Sequence, residues 1–273
     1  MPVCLTLLAT VSILFYAVAS AADVSHVTVR TRAANNRNAS VWYRVPENYR
    51  EISGRKWRVL VIFGGRNCGG SNEVSNAIGW AKWADWNGVF LVSPSFSVGE
   101  YWRPETGSGH ILRRALDSVR RRFRLGNLPV LMYGYSAGGQ CAALFSAFMK
   151  GEVAAWGAHG CGVYPDADLA SHSPALITCG EEDSERFAIC RQFAYRRRES
   201  GGNVLFKGYG CGHHLNREAL DLASAWLAAF SGRTPSVKAW GEDDTQRVLP
   251  VFRIDREFRN PLYSSDIERQ WKR

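Results

Sequence analysis

Leu128 to Leu144 reads LPVLMYGYSAGGQCAAL. A short apolar run, Val130 to Tyr133, meets Gly134-Tyr135-Ser136-Ala137-Gly138-Gly139, and a run of small residues able to form a helix follows. The order is buried strand, sharp turn, helix. The turn has the spacing G-x-S-x-G, in which two glycines let strand and helix crowd around a serine held in a strained bend. Ser136 then stands at the C-terminal end of its strand, beside the positive end of a helix. Five residues of this kind also occur by chance, so the flanking chain has to decide.

Upstream, Arg58 to Phe63 (RVLVIF) has the continuous apolar character of a central parallel strand covered on both faces. It runs into Gly64-Gly65-Arg66-Asn67-Cys68-Gly69-Gly70, where so many glycines free backbone N–H groups to point at something. A helix is expected over Asn72 to Trp86, with Trp80, Trp83 and Trp86 as packing residues, then a strand over Val89 to Val92. Ser93 to Gly109 is a loop, and Ser108 is expected to cap an amphipathic helix marked by Ile111, Leu112, Ala115, Leu116, Val119 and Phe123. Downstream, strands are expected at Val153 to Ala158, Ala175 to Cys179 and Asn203 to Lys207. Helices begin at about Ser184 and over Arg217 to Phe230. His26 to Arg30 and Ser40 to Val45 alternate as an antiparallel hairpin around Ala34-Asn35-Asn36. Alternating strand and helix predicts an α/β fold: a doubly wound, mostly parallel sheet with helices on both faces. The domain spans 22–231, and the polar tail, 232–273, is expected to wrap over it in extended form.

Residues 1–21 stand apart. Leu5 to Ala19 is nearly all apolar, the first charge is Asp23, and small residues end the run, as in a secretory signal peptide cut after Ala19 or Ala21. A basic residue near the start is missing. Nothing later is long and apolar enough to span a bilayer. Of the seven cysteines, Cys4 leaves with this leader. The other six, Cys68, Cys141, Cys161, Cys179, Cys190 and Cys211, are an even number in an exported chain, which suggests disulfides, with Cys68 to Cys211 a candidate pair. No C-x-x-C pair occurs, which argues against a zinc ribbon or redox motif. The net charge of +9 gathers in arginine clusters at 113–114, 120–124 and 196–198. These are expected to be solvated helix faces, and no nucleic-acid motif is present.

Three loops, each after a strand, each offer one group for acyl chemistry. A serine hydroxyl needs a base within hydrogen-bond reach. His213, closing Gly210-Cys211-Gly212, is the first candidate, with His214 the alternative. His159 ends a strand near the pocket and is expected to line it. A carboxylate must hold the imidazole tautomer and balance its charge. Asp183 is preferred over Glu181 and Glu182 because it is the shorter carboxylate, a few residues past its strand. Oxyanion donors are expected from the N–H of Ala137 and from Gly65 or Arg66. Tyr135 and Trp102 are expected to bind substrate, in an aromatic wall with Tyr101 and Trp156. No cofactor or metal is expected.

GYSAGG, GGRNCGG, GEED and GCGHH together resemble the α/β-hydrolase superfamily over residues 40–231. The chain also resembles, more loosely, the secreted branch holding polyhydroxyalkanoate depolymerases and feruloyl or acetyl xylan esterases. That branch commonly has His-Gly at the oxyanion loop, where this chain has Phe63-Gly64-Gly65. The resemblance implies Ser136, Asp183 and His213 as a triad, with Gly65 and Ala137 as donors, acting on an ester substrate, a polymer or aryl ester among the candidates. A serine peptidase on the same fold and a catalytically silent polymer-binding protein are the competing readings.

Overall fold

The computed structural model describes residues 15–16, 24–30, 38–50, 57–66, 69–75, 79–96, 103–166 and 172–273. Within them the apolar runs pair into a sheet of nine strands: β1 (Phe15–Tyr16), β2 (Val24–Arg30), β3 (Asn38–Arg44), β4 (Arg58–Phe63), β5 (Val89–Ser95), β6 (Val130–Tyr135), β7 (Val153–His159), β8 (Ala175–Gly180) and β9 (Val204–Tyr209). Their order is β1-β2-β3-β5-β4-β6-β7-β8-β9. The first three and the β3–β5 pair are antiparallel, and all pairs from β5 to β9 are parallel.

Parallel neighbours need crossovers, and helices supply them. α1 (Gly70–Ser75) and α2 (Trp80–Asn87) lie between β4 and β5, α3 (Ser108–Arg122) between β5 and β6, α4 (Ala137–Phe148) between β6 and β7 and α5 (Ser184–Glu199) between β8 and β9, while α6 (Arg217–Ala229) follows β9. On one face α3, α4 and α5 bring Leu112, Leu116, Phe145 and Phe193 onto Phe63, Val92 and Met132. On the other, α1, α2 and α6 bring Val74, Trp80, Leu222 and Trp226 onto Leu60, Leu131 and Leu205. With both faces covered, the C-terminal ends of β6, β8 and β9 become the open edge on which loops can gather.

The tail is more than an extended wrap. β10 (Ala239–Glu242) and β11 (Arg259–Leu262) pair as a ribbon. α7 (Ser265–Trp271) follows, capped by the Ser264 side chain, which accepts from the Ile267 N–H. Leu262, Tyr263, Ile267 and Trp271 complete the second core. The tail also covers part of the sheet edge at β9, where unpaired backbone groups are a liability. Asn260 Oδ1 accepts from the Phe206 N–H at 2.7 Å, and Trp271 Nε1 donates to the Phe206 carbonyl at 3.3 Å.

Several expectations need correction. The helix over 72–86 is two helices, and Gly79 before the second adopts a left-handed φ of 83°. Trp80 is buried there, but Trp86 is 93% exposed rather than packed. α3 begins at Ser108 itself, with Gly107 in the capping position. The 196–198 cluster is not a solvated face: Arg197 and Arg198 are buried. Arg198 donates to the Val204 and Glu257 carbonyls, to Asp243 at 2.6 Å and to Asn260 Oδ1 at 2.6 Å. Cys161, Cys179, Cys190 and Cys211 are buried thiols outside any disulfide, so no bridge to Cys211 is formed. Cys68, the Ala34-Asn35-Asn36 turn and the leader-like stretch apart from Phe15–Tyr16 lie outside the described residues. No helix among the described residues is long and apolar enough to cross a membrane.

Trp271→Ala is expected to lower the unfolding free energy by about 3–5 kcal/mol in chemical denaturation. A loss of less than about 1 kcal/mol, the range of a surface substitution, would contradict the tail's place in the core.

Candidate active site

Ser136 links β6 to α4 with φ 54° and ψ −120°. That is a left-handed φ on a residue with a Cβ, a conformation costing on the order of 1–3 kcal/mol and held only where surroundings enforce it. Here they do. A Cβ on Gly134 would lie 2.1 Å from the Gly138 carbonyl, and one on Gly138 would lie 1.9 Å from the Phe63 carbonyl. Glycine at both positions lets α4 press against β6 and against the loop after β4. The Ser136 N–H donates to the His159 carbonyl at 2.8 Å, which fixes the bend from the β7 side.

The loops after β8 and β9 are stitched together by backbone. Glu181 N–H donates to Tyr209 O at 2.8 Å and Glu182 N–H to Cys211 O at 3.1 Å. A Cβ on Gly180 would come within 2.2 Å of the Cys211 carbonyl, so the loops meet with no space between them. Asp183 occupies the position before α5, where its residue type usually caps the helix. Its side chain makes no cap bond. Its Oδ2 instead lies 2.6 Å from His213 Nδ1, and His213 Nε2 lies 2.9 Å from Ser136 Oγ. Ser136, His213 and Asp183 thus form one continuous hydrogen-bonded chain. The Asp183 side chain is 9% exposed and that of His213 32%. The ring reaching Ser136 belongs to His213. His214 is exposed and contributes its backbone, and Glu181 and Glu182 are exposed.

No protein-family model and no curated relative matches the chain. Solved structures do. A Staphylococcus aureus S-formylglutathione hydrolase aligns with TM-score 0.61 at 12% identity, covering 77% of this chain and 100% of that one. A ferulic acid esterase aligns with TM-score 0.59 at 13% identity, covering 77% of this chain and 99% of that one. A poly(3-hydroxybutyrate) depolymerase from Bordetella parapertussis aligns with TM-score 0.58 at 19% identity, covering 79% of this chain and 93% of that one. The chain has the α/β-hydrolase fold.

Two residues at this site were not assigned these positions by sequence reasoning. Arg186, three residues past Asp183 on α5, donates to Asp183 Oδ1 at 3.0 Å. With one carboxylate oxygen held there, the other is aimed at His213. The spacing i, i+3 from an acid at a helix start was the available signal. Tyr135, expected to bind substrate, donates its hydroxyl to the His213 carbonyl at 2.8 Å, with its ring 5.4 Å from the imidazole. Burial pushes its phenol pKa up, with Asp183 adding to the effect, so the hydroxyl keeps the proton it donates.

Ala137 opens α4, so its N–H is among the donors with no partner inside the helix. Gly65, half-buried beside exposed Arg66, follows β4 in the loop against which Gly138 is pressed. Trp156, expected in the cleft wall, is 1% exposed in the core because β7 is buried along its whole length. Tyr101 and Trp102 lie outside the described residues. Among the described residues, no group of three or more His, Cys, Asp or Glu is placed to hold a metal ion. A cavity of about 870 Å³ at the opposite ends of the strands is lined by Arg58, Lys150, His172 and Arg233 among others, remote from Ser136.

Gly180→Ala should force the acid and histidine loops apart. The expected loss is about 1–3 kcal/mol of stability, together with disappearance of the low-field His213 Nδ1 proton signal in NMR. A variant with native stability and an unchanged signal would contradict the close approach.

Proposed function

We propose that this chain is a serine hydrolase that cleaves carboxylic esters through an acyl-enzyme. The observation carrying this reading is the continuous chain from Ser136 Oγ to His213 Nε2 at 2.9 Å and from His213 Nδ1 to Asp183 Oδ2 at 2.6 Å. His213 takes the Ser136 proton as the oxygen attacks the ester carbonyl, and the resulting imidazolium is steadied by Asp183. The negative charge that develops on the carbonyl oxygen is met by the N–H of Ala137 and of Gly65. His213 then returns the proton to the departing alcohol. A water molecule, deprotonated by the same imidazole, hydrolyses the acyl-serine and regenerates Ser136.

The likeness to hydrolases and esterases supports this reading at the level of fold. Export rests on the leader-like character of residues 1–21. The serine peptidase reading uses the same acyl chemistry, and the test separates the two.

Hydrolysis of p-nitrophenyl acetate and butyrate by the wild-type chain is expected to fall roughly a thousandfold or more in Ser136→Ala and His213→Ala. Asp183→Asn is expected to cost on the order of ten-thousandfold, since the amide cannot hold the required tautomer. Equal rates for wild type and Ser136→Ala would leave the silent binding protein. Cleavage of peptide p-nitroanilides without ester turnover would leave the peptidase.

A further inference from the structure

His159 is the last residue of β7 and is 1% exposed. Every polar atom it could share across the site is engaged. Its carbonyl accepts from the Ser136 N–H at 2.8 Å. Its Nδ1 lies 2.9 Å from Thr178 Oγ1, and its Nε2 lies 3.1 Å from the His214 carbonyl oxygen. A carbonyl oxygen only accepts, so Nε2 must carry the ring proton. Nδ1 is then bare and accepts from the Thr178 hydroxyl. Burial pushes the imidazole pKa down to about 4, the bond to His214 opposing this, so the ring stays neutral in this tautomer.

The contacts converge from four strand ends. His159 pairs with Tyr135 of β6 on one side and with Thr178 of β8 on the other. Two residues beyond Thr178, the Gly180 carbonyl accepts from the Asp183 N–H at 3.2 Å. His214 adjoins His213 on the loop after β9. One buried residue therefore touches the segments that carry Ser136, Asp183 and His213, through its carbonyl to the first and its ring to the other two.

We propose that His159 is a positioning residue, whose Nε2–H bond to the His214 carbonyl holds the His213 loop within reach of Ser136. The proposal rests on the serine hydrolase reading for its catalytic consequence, but not for its geometry. Its neutral imidazole links the end of β7 to the loop after β9, which backbone pairing does not join directly because β8 lies between the two strands.

The test uses the full chain as wild type, His159→Leu, His159→Gln, His159→Asn and Thr178→Val. Readouts are kcat and KM on p-nitrophenyl butyrate, the rate of Ser136 modification by a fluorophosphonate, and imidazole ¹⁵N and low-field ¹H NMR. His159→Leu is expected to lower kcat about 10- to 100-fold, as a small misplacement of a catalytic group does. KM should stay within about threefold, because substrate contacts are not removed. The longer amide of Gln reaches the His214 carbonyl and is expected to restore most of kcat, whereas the shorter Asn is not. Thr178→Val should fall between wild type and His159→Leu. The wild-type ¹⁵N spectrum should show His159 protonated at Nε2 alone. A folded His159→Leu with wild-type kcat would overturn the proposal. Equal kcat for Gln and Asn would overturn it even if the leucine variant does not fold. An Nδ1-protonated His159 would do so without any assay. Should the wild type neither turn over the ester nor react with the fluorophosphonate, the hydrolase reading fails. The tautomer and the His213 proton signal would then still decide whether His159 braces the loop.

Discussion

The contact on which the candidate site depends is the 2.6 Å approach of His213 to Asp183, made between two loops that leave strands β8 and β9. His213 is not fixed by its own element, and Asp183 is held from its own helix only through Arg186. Asp183 stands where a helix cap would stand and forgoes the cap bond; His213 sits in a turn with its ring partly in water. The approach exists because Gly180 has no Cβ to hold the loops apart and because backbone bonds from Glu181 and Glu182 join them. A hydrogen bond from an imidazole N–H to a carboxylate contributes only about 1.5–3 kcal/mol net, too little to draw two loose loops together against an ordering cost of about 1–2 kcal/mol per residue of backbone. The loops are placed first, and the bond follows.

That placement comes from the sheet. β6, β7, β8 and β9 run parallel and in sequence order, so the segments after them emerge on one edge, where open parallel sheets gather their ligands. The sheet would end at β9 with an unpaired edge; Asn260, Trp271 and the buried Arg198 occupy three of its backbone groups. The C-terminal ribbon and helix thereby brace the strand that presents His213. The strained bend at Ser136 is tolerated because the same sheet fixes both of its sides, through Gly134 and Gly138 against backbone and through the His159 carbonyl.

The central strands were legible because a six-residue apolar run such as RVLVIF has few other places to go, and β4 has the expected bounds. The start of α5 at Ser184 was equally plain from its preceding acidic turn. Less legible were features decided by distant partners. Three successive arginines on a helix point about 100° apart, so one turning inward was foreseeable, but its acceptors at Asp243 and Asn260 lie far along the chain. The tail looks polar because α7 buries only Ile267 and Trp271, four residues apart. Its Ser264 cap was the overlooked signal. Cysteine parity suggested bridges, whereas these thiols pack as small apolar groups. At the site, Ser136, Asp183 and His213 followed from loop order, while the choice between His213 and His214, and the part taken by Arg186, needed geometry.

The central claim is that Ser136 becomes covalently acylated with His213 as its base. Rapid mixing of the wild-type chain with p-nitrophenyl acetate, quenched for peptide mass spectrometry, tests it most directly. The account predicts a p-nitrophenolate burst approaching one equivalent per chain, with acetyl on Ser136 and on no other residue. Turnover without acetyl on Ser136, or with acetyl on another side chain, would contradict it.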